Sequence, residues 1–231
     1  MSTRSIGLDE ALHAYVVAHA DGGPDQVLDD LAARTRRLVP DKVSMQIAPE
    51  QGALLTLLAS MSRARLAVEV GTFTGYSSVC IARGLAPGGR LICFDASQEW
   101  TDIARQFWAR AGVDDRIDLR LGDARELIGS LGDEPVDFAF IDADKDGYPT
   151  YYEALLGRLA PDGLIAVDNT LADGRVLNPD APEAGHAAAI ARFNDQVLAD
   201  DRVQSVLVPV GDGLTLIRHR AASGSPTLRS S

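Results

Sequence analysis

Short apolar runs alternate with helical patterns over most of the chain. From residue 65 onward the runs are RLAVEV (65–70), RLICFD (90–95), IDLRL (117–121), VDFAFID (136–142), GLIAVD (163–168) and VQSVLVPV (203–210). Continuously apolar runs are typical of parallel strands that are buried on both faces. Strands that alternate with helices are joined by right-handed βαβ crossovers. The pattern therefore predicts an α/β protein with a largely parallel sheet.

Helical periodicity fills the segments between and before these runs. Residues 97–112 are the clearest case, because their apolar side chains share one face and Gly112 stands at the end. That face consists of Trp100, Ile103, Phe107 and Ala111. Three more helices are predicted over residues 8–20, 24–38 and 49–62, and they form a helical cap over about residues 1–62.

The last part of the chain has a different pattern. The sixth run is followed by GDG (211–213) and LTLIRH (214–219), a hairpin signal that predicts an antiparallel last strand. Residues 221–231 (AASGSPTLRSS) lack core-forming side chains, so we expect a disordered tail there. We find no internal repeat, and we expect residues 1–220 to form a single domain.

Composition excludes several classes of function. The chain carries 22 basic and 33 acidic residues, and its net charge of −11 argues against nucleic-acid and anionic-membrane partners. The first residues, MSTRSIGLDE, lack the apolar segment of a signal peptide, and LLTLLASM (54–61) is too short to span a bilayer. Cys80 and Cys93 have no metal-finger spacing and are expected to be buried thiols. We therefore expect a cytoplasmic protein.

Acidic residues follow most of the predicted parallel strands. Ligands of open α/β sheets bind beyond the carboxyl ends of the strands. The residues at these ends are Gly71, Asp95, Gly122, Asp123, Asp142 to Lys145, Asp168 and Asn169. A purely structural sheet does not need carboxylates there, so the pattern indicates a binding site at this edge.

The segment VEVGTFTGYS (68–77) reads as a strand, a glycine turn and a helix start. Gly71 allows the backbone to approach a ligand closely, and the helix start near Ser77 offers N–H groups to an anion. The G-x-x-x-G spacing departs from the dinucleotide fingerprint, which makes a nicotinamide enzyme a weaker hypothesis. Asp95, 24 residues after Gly71, can accept both hydroxyl hydrogens of a ribose. A cofactor that has a ribose and a carboxylate but no phosphate is S-adenosylmethionine, so these features indicate that cofactor.

Oxygen side chains end the fourth and fifth runs. If these strands are neighbours, Asp142 converges with Asp168 and Asn169. Two carboxylates and an amide oxygen suit Mg²⁺ or a similar hard cation such as Mn²⁺ or Ca²⁺. The alternative is structural, with Asp142 capping a helix and Asp168 and Asn169 forming a turn.

Lysine is rare in this chain. Among the 22 basic residues only Lys42 and Lys145 are lysines. Arginine does not lose its proton in proteins, so a lysine three residues after Asp142 indicates that a titratable amine is required. The alternative for Lys145 is a surface ion pair with Asp144 or Asp146. Lys42 reads as a solvated residue or as part of a substrate mouth.

Together these segments resemble the cation-dependent O-methyltransferases, which include the caffeoyl-CoA and catechol enzymes and bacterial relatives. The matching motifs, between about Met45 and Arg218, are VEVGTFTGYS, RLICFD, FIDADKDGYPTYY, GLIAVDNTL and PVGDGLTL. The resemblance implies a Rossmann-like class I methyltransferase fold, with seven strands, the last antiparallel, and helices on both faces. It further implies S-adenosylmethionine, usually Mg²⁺, and a homodimer.

The resemblance also implies roles for individual residues, which we assign where this sequence matches the motifs of the family. The resemblance implies that the cofactor is bound by Glu69, Gly71, Thr72, Ser77, Asp95, Ala124, Asp142 and Asp144. It implies a metal held by Asp142, Asp168 and Asn169, with Lys145 as general base. The chain departs from the family at Ala172, where similar enzymes often have tryptophan, and the loss of the indole is expected to remove a flat surface beside the metal.

The resulting hypothesis is metal-assisted methyl transfer to a small catechol-like aromatic substrate, with Lys145 removing the hydroxyl proton. Two alternatives stay open. One is a methyltransferase for a hydroxyuridine in tRNA, against which the net charge weighs. The other is a non-catalytic cofactor-binding module.

Overall fold

A seven-stranded sheet organises the molecule. The computed structural model describes residues 6–20, 25–181 and 184–221. Its strands are β1 (Leu66–Val70), β2 (Arg90–Asp95), β3 (Ile117–Leu121), β4 (Val136–Ile141), β5 (Leu159–Val167), β6 (Val203–Val208) and β7 (Leu214–His219). They lie in the order β3-β2-β1-β4-β5-β7-β6, and β7 runs antiparallel to both of its neighbours. The predicted mixed sheet with an antiparallel last strand is confirmed.

Helices cover both faces of this sheet. They are α1 (Glu10–Ala18), α2 (Gln26–Leu38), α3 (Pro49–Met61), α4 (Tyr76–Gly84), α5 (Gln98–Ala111), α6 (Ala124–Leu127), α7 (Tyr148–Leu156) and α8 (Ala187–Ala199). Helices α2 to α5 bury apolar side chains in one core cluster, whereas α6 to α8 contribute to a second cluster on the other face. Among the described residues, no helix is long and apolar enough to cross a bilayer.

Helix α5 shows how local sequence fixes an element. The Ser97 side chain caps its start by accepting the N–H of Trp100 at 3.3 Å, and Gly112 ends it in the left-handed conformation at φ 66°. Ile103 and Phe107 are buried as predicted. Trp100, which the periodicity assigned to the same apolar face, instead lines a cavity beside the first turn of the helix.

Strand β5 begins earlier than the apolar run GLIAVD predicted. Leu159 pairs with Val136 and Leu164 pairs with Phe138, so extra residues bulge out between the two pairs. Pro161 lacks the N–H that a regular ladder needs, which explains why this strand tolerates it only at a bulge. The predicted tail, apart from Ala221, lies outside the described residues.

Candidate active site

A cavity of about 810 Å³ opens at the carboxyl edge of the parallel strands. Because β1, β2, β4 and β5 run in the same direction, the loops that follow them all reach this edge. The predicted site residues that line the cavity are Gly71, Thr72, Ser77, Asp95, Ala124, Asp142, Asp144, Lys145 and Asn169. The tertiary structure thus brings together residues that lie as much as 98 positions apart in the sequence.

The glycine loop is in direct contact with the loop that follows β4. Gly71 has φ +94°, and a Cβ atom there would lie 1.9 Å from the carbonyl oxygen of Asp142. Its N–H donates to the carbonyl of Phe94 at 2.9 Å. Only glycine fits this approach, because any side chain would force the two loops apart. The contact keeps Asp142 next to the loop.

Asp95 organises the same loop from β2. Its Oδ2 accepts the backbone N–H groups of Thr72 at 2.9 Å and Phe73 at 2.8 Å, and its Oδ1 accepts that of Ser97 at 2.7 Å. The carboxylate is nevertheless partly exposed and lines the cavity. Since each carboxylate oxygen can accept more than one hydrogen bond, Asp95 retains capacity for hydroxyl donors of a ligand.

Aromatic and aliphatic side chains form the apolar walls of the cavity. Phe73 and Trp100 meet edge to face with their ring centroids 5.1 Å apart. Met45 and Ile47, which precede α3, line another part. The sequence analysis did not assign Phe73 to the site, although an aromatic residue directly after a glycine turn was an available signal.

Glu69 departs from its predicted role, because it does not line the cavity. It is fully buried, and its Oε2 accepts hydrogen bonds from Ser78 Oγ at 2.5 Å and Cys93 Sγ at 3.2 Å. Burial raises the pKa of Glu69 to about 7. Side chains alternate along a strand, so Glu69 faces the α4 side together with Cys93, its partner on β2. We therefore correct the expected direct cofactor contact to a position beneath the loop.

Lys145 lies at the centre of the polar part of the cavity. Its Nζ donates to Asp142 Oδ1 at 3.0 Å, to Asn169 Oδ1 at 2.5 Å and to Tyr148 Oη at 2.6 Å. Lys145 therefore pairs with predicted metal ligands and not with Asp144 or Asp146, the partners in the surface alternative. Asp144 instead accepts a hydrogen bond from Tyr151 Oη at 2.5 Å.

Asp168 lies directly behind this group. It is 2 % exposed and does not line the cavity, and its Oδ1 accepts the N–H of Asn169 at 2.7 Å. Burial raises the pKa of Asp168, and the nearby charge of Asp142 raises it further. Gln51 of α3, missed by the sequence analysis, is buried nearby, and its amide opposes this rise in the pKa of Asp168.

Asn169 adopts the left-handed conformation, with φ 55°. Asparagine tolerates this conformation better than most residues, and it leaves the amide on the cavity wall. Within the described residues, no group of three or more His, Cys, Asp or Glu side chains could hold a metal ion. The predicted ligand set differs from such a group because its third member is an amide oxygen.

Ala172, the position at which similar enzymes often have tryptophan, does not line the cavity. Ala172 is 3 % exposed and packs in a small apolar cluster with Ala184, Ala187 and Ile190. The loop before α8 and α8 itself enclose this side chain, and the effect of the missing indole stays a prediction. Lys42, which the sequence analysis left as either a solvated residue or part of a substrate mouth, lines the cavity, and so does His186.

Known proteins resemble this chain over most of its length. A family model described as O-methyltransferase matches residues 18–220. The chain is 39% identical over 207 residues to "Probable caffeoyl-CoA O-methyltransferase 2" of Dictyostelium discoideum, covering 88% of this chain and 89% of the relative. It is 31% identical to the solved O-methyltransferase from Bacillus cereus in complex with SAH, with a TM-score of 0.81 and coverage of 91% and 97%. TomG of Streptomyces achromogenes, solved with SAM, gives 31% identity, a TM-score of 0.80 and coverage of 90% and 96%.

Proposed function

The chain belongs to the O-methyltransferase family that includes caffeoyl-CoA O-methyltransferases, and from this premise we propose a divalent-cation-dependent methyl transfer to a small catechol-like aromatic substrate. The methyl donor of this family of enzymes is S-adenosylmethionine. The observation that carries the proposal is the position of Lys145, whose Nζ lies 3.0 Å from Asp142 and 2.5 Å from Asn169 inside the cavity. A titratable amine and hard oxygen ligands therefore share one site.

The cavity suits S-adenosylmethionine in its shape and its polar groups. Asp95 offers carboxylate oxygens to ribose hydroxyls, and Phe73 and Trp100 offer an apolar surface to the adenine. The start of α4 has no side-chain cap, so its free N–H groups favour the carboxylate of the methionine moiety. When bound, this group supplies a methyl activated by a sulfonium sulfur.

The oxygen ligands suit a hard divalent cation. The ammonium of Lys145 already places one positive charge on Asp142 Oδ1 and Asn169 Oδ1, so these oxygens converge on a point that favours a cation. The carboxylate of Asp168 is buried behind these two oxygens and is repelled by the negative charge of Asp142. A divalent ion would compensate the charges of both carboxylates. Asp142, Asp168 and Asn169 would hold Mg²⁺, Mn²⁺ or Ca²⁺, which supplies Lewis-acid activation of a substrate hydroxyl.

Lys145 then serves as the general base. A neutral lysine amine accepts the proton of the acceptor hydroxyl, which arginine cannot do. With its proton held on Lys145 Nζ, the acceptor oxygen would be free to take the methyl group as the sulfonium sulfur gives it up. The walls around Lys145 hold the acceptor in line, and such positioning supplies a large part of the rate.

Asp95→Asn is expected to raise the Kd for S-adenosylmethionine by about 10- to 100-fold, because a hydrogen bond to a charged group contributes about 1.5–3 kcal/mol. Isothermal titration calorimetry without an acceptor measures this directly. Asp137→Asn is the matched control, because Asp137 also accepts two successive backbone N–H groups, from Arg65 and Leu66, but at the opposite end of the sheet. An equal loss of affinity in both variants would show that Asp95 acts only through folding.

A methyl-transfer screen with labelled S-adenosylmethionine tests the acceptor. We expect transfer to catechols or caffeate-like acids in Mg²⁺ and none to bulk tRNA. Transfer to tRNA that weakens with salt would instead favour the nucleic-acid alternative. Tight cofactor binding without transfer to any acceptor would favour a binding module.

We also infer a homodimer in the cytoplasm. Helix α1 has no buried residue although it is largely apolar, and Tyr15, Leu57 and Met61 are each more than half exposed on α1 and α3. A second copy would cover such side chains. Cys80 and Cys93 are free and buried, which fits a reducing compartment.

A further inference from the structure

The hydroxyl of Tyr148 lies between Lys145 and the end of β5. Tyr148 is fully buried at the start of α7, and its Oη accepts a hydrogen bond from Lys145 Nζ at 2.6 Å. The same hydroxyl donates to the backbone carbonyl of Asp168 at 3.0 Å. One side chain therefore joins the loop after β4 to the end of β5.

The ring that carries this hydroxyl is held firmly. It meets Phe193 of α8 edge to face, with ring centroids 5.5 Å apart. The ammonium of Lys145 also lies 4.9 Å from the centroid of the Tyr148 ring. A buried aromatic side chain with few rotatable bonds is a precise support, whereas lysine reaches the site through a flexible stem.

The directions of the hydrogen bonds limit what the amine can do. A phenol has one proton, and in Tyr148 that proton is committed to the carbonyl of Asp168. Towards Lys145 the hydroxyl can only accept, so one N–H of the amine must point at Oη. Asp142 and Asn169 accept from the same nitrogen, so three oxygens fix the place of Nζ in the cavity.

We propose that Tyr148 is a positioning residue that holds the Nζ of Lys145 at the point of the cavity where it meets the acceptor hydroxyl. The proposal rests on the proposed role of Lys145 as general base. Tyr148 is fully buried and does not line the cavity, so we expect it to touch neither acceptor nor cofactor. Its effect on the reaction is exerted through Lys145 alone.

Tyr148→Phe is expected to lower kcat by about 10- to 100-fold, the cost of a misplaced reacting group. The Kd for S-adenosylmethionine and the Kd for Mn²⁺, followed by electron paramagnetic resonance, should not change. In a Lys145→Met background, Tyr148→Phe should cause no further loss of the residual rate, because no amine remains to be held in place.

Tyr152→Phe is the matched control. Tyr152 lies one turn further along α7, is also fully buried and packs against the same Phe193 with centroids 5.8 Å apart. Its hydroxyl donates to Asp200 at 2.7 Å, away from the cavity. We expect Tyr152→Phe to lose thermal stability with wild-type kcat.

A second variant separates the two hydrogen bonds of Tyr148 and serves if Tyr148→Phe does not fold. 4-Aminophenylalanine in place of Tyr148 keeps the ring and a donor for the Asp168 carbonyl, but its nitrogen is a poor acceptor for Lys145. We expect kcat to stay low in this variant. Recovery of wild-type kcat, or wild-type kcat in Tyr148→Phe, overturns the proposal. A loss of Mn²⁺ affinity that matches the loss of kcat also overturns it. If Lys145→Met itself retains full kcat, the role of Lys145 as base fails instead.

Discussion

Lys145→Arg is expected to lower kcat by about 10²- to 10⁴-fold, the usual contribution of a general base. Arginine keeps the positive charge beside Asp142 and Asn169 but does not release its proton, so the variant lacks a group that can accept one. Steady-state kinetics with saturating acceptor measures kcat. The affinity for S-adenosylmethionine, measured by calorimetry, should be close to wild type because the cofactor residues are unchanged.

Asp146→Asn is the control for this substitution. Asp146 is the next residue in the chain and is exposed, so the variant changes one charge in the same turn without altering the partners of Lys145. We expect it to retain wild-type kcat. An active Lys145→Arg enzyme would remove Lys145 as the base, and an equally inactive Asp146→Asn enzyme would show that the turn itself is sensitive to charge.

Removal of divalent cations is expected to abolish turnover, and addition of Mg²⁺ is expected to restore it. Lewis-acid activation contributes several kcal/mol, so the rate in EDTA should fall by about 10³-fold or more. We expect the ion to be needed because the carboxylates of Asp142 and Asp168 lie close together, with Lys145 as the nearby cation. Initial rates in chelator, and then against increasing Mg²⁺, measure the effect.

Two companion measurements make the metal prediction specific. Asp168→Asn keeps the shape of the side chain but removes its charge, so we expect a higher Mg²⁺ concentration for half-maximal activity. Cofactor binding to the metal-depleted protein should persist, since Asp95 and the glycine loop do not depend on the ion. Full activity of the wild-type enzyme in EDTA would exclude the metal role.

Much of the fold was predictable because its signals are local. The continuously apolar runs identified the strands, and the GDG turn identified the antiparallel hairpin of β6 and β7. Ser97 and Gly112 bracket α5 within one residue of the predicted boundaries. Each of these signals is carried by residues close together in the chain, where backbone preferences act without knowledge of the tertiary fold.

Other features could not be read from spacing. Trp100 belongs to an apolar helical face, but its position in the first turn of α5 carries it beyond the sheet to the cavity. Glu69 follows the family pattern, yet strand alternation turns it into the interior beside Cys93. Ala172 is enclosed by residues of α8 that lie well beyond it in the sequence. In all three cases the neighbours come from distant segments.

The sequence by itself determined which chemical groups stand at the ends of the strands, including the one lysine among them. Hydrophobic burial places apolar runs in the sheet and leaves the polar residues that follow at its edge. Only the tertiary structure decided that β4 and β5 are neighbours, so that Lys145 reaches Asn169, 24 residues away. Strand order and register depend on long-range packing. The same holds for the hydrogen bond from Tyr148 to the carbonyl of Asp168, which forms only because α7 packs against the end of β5.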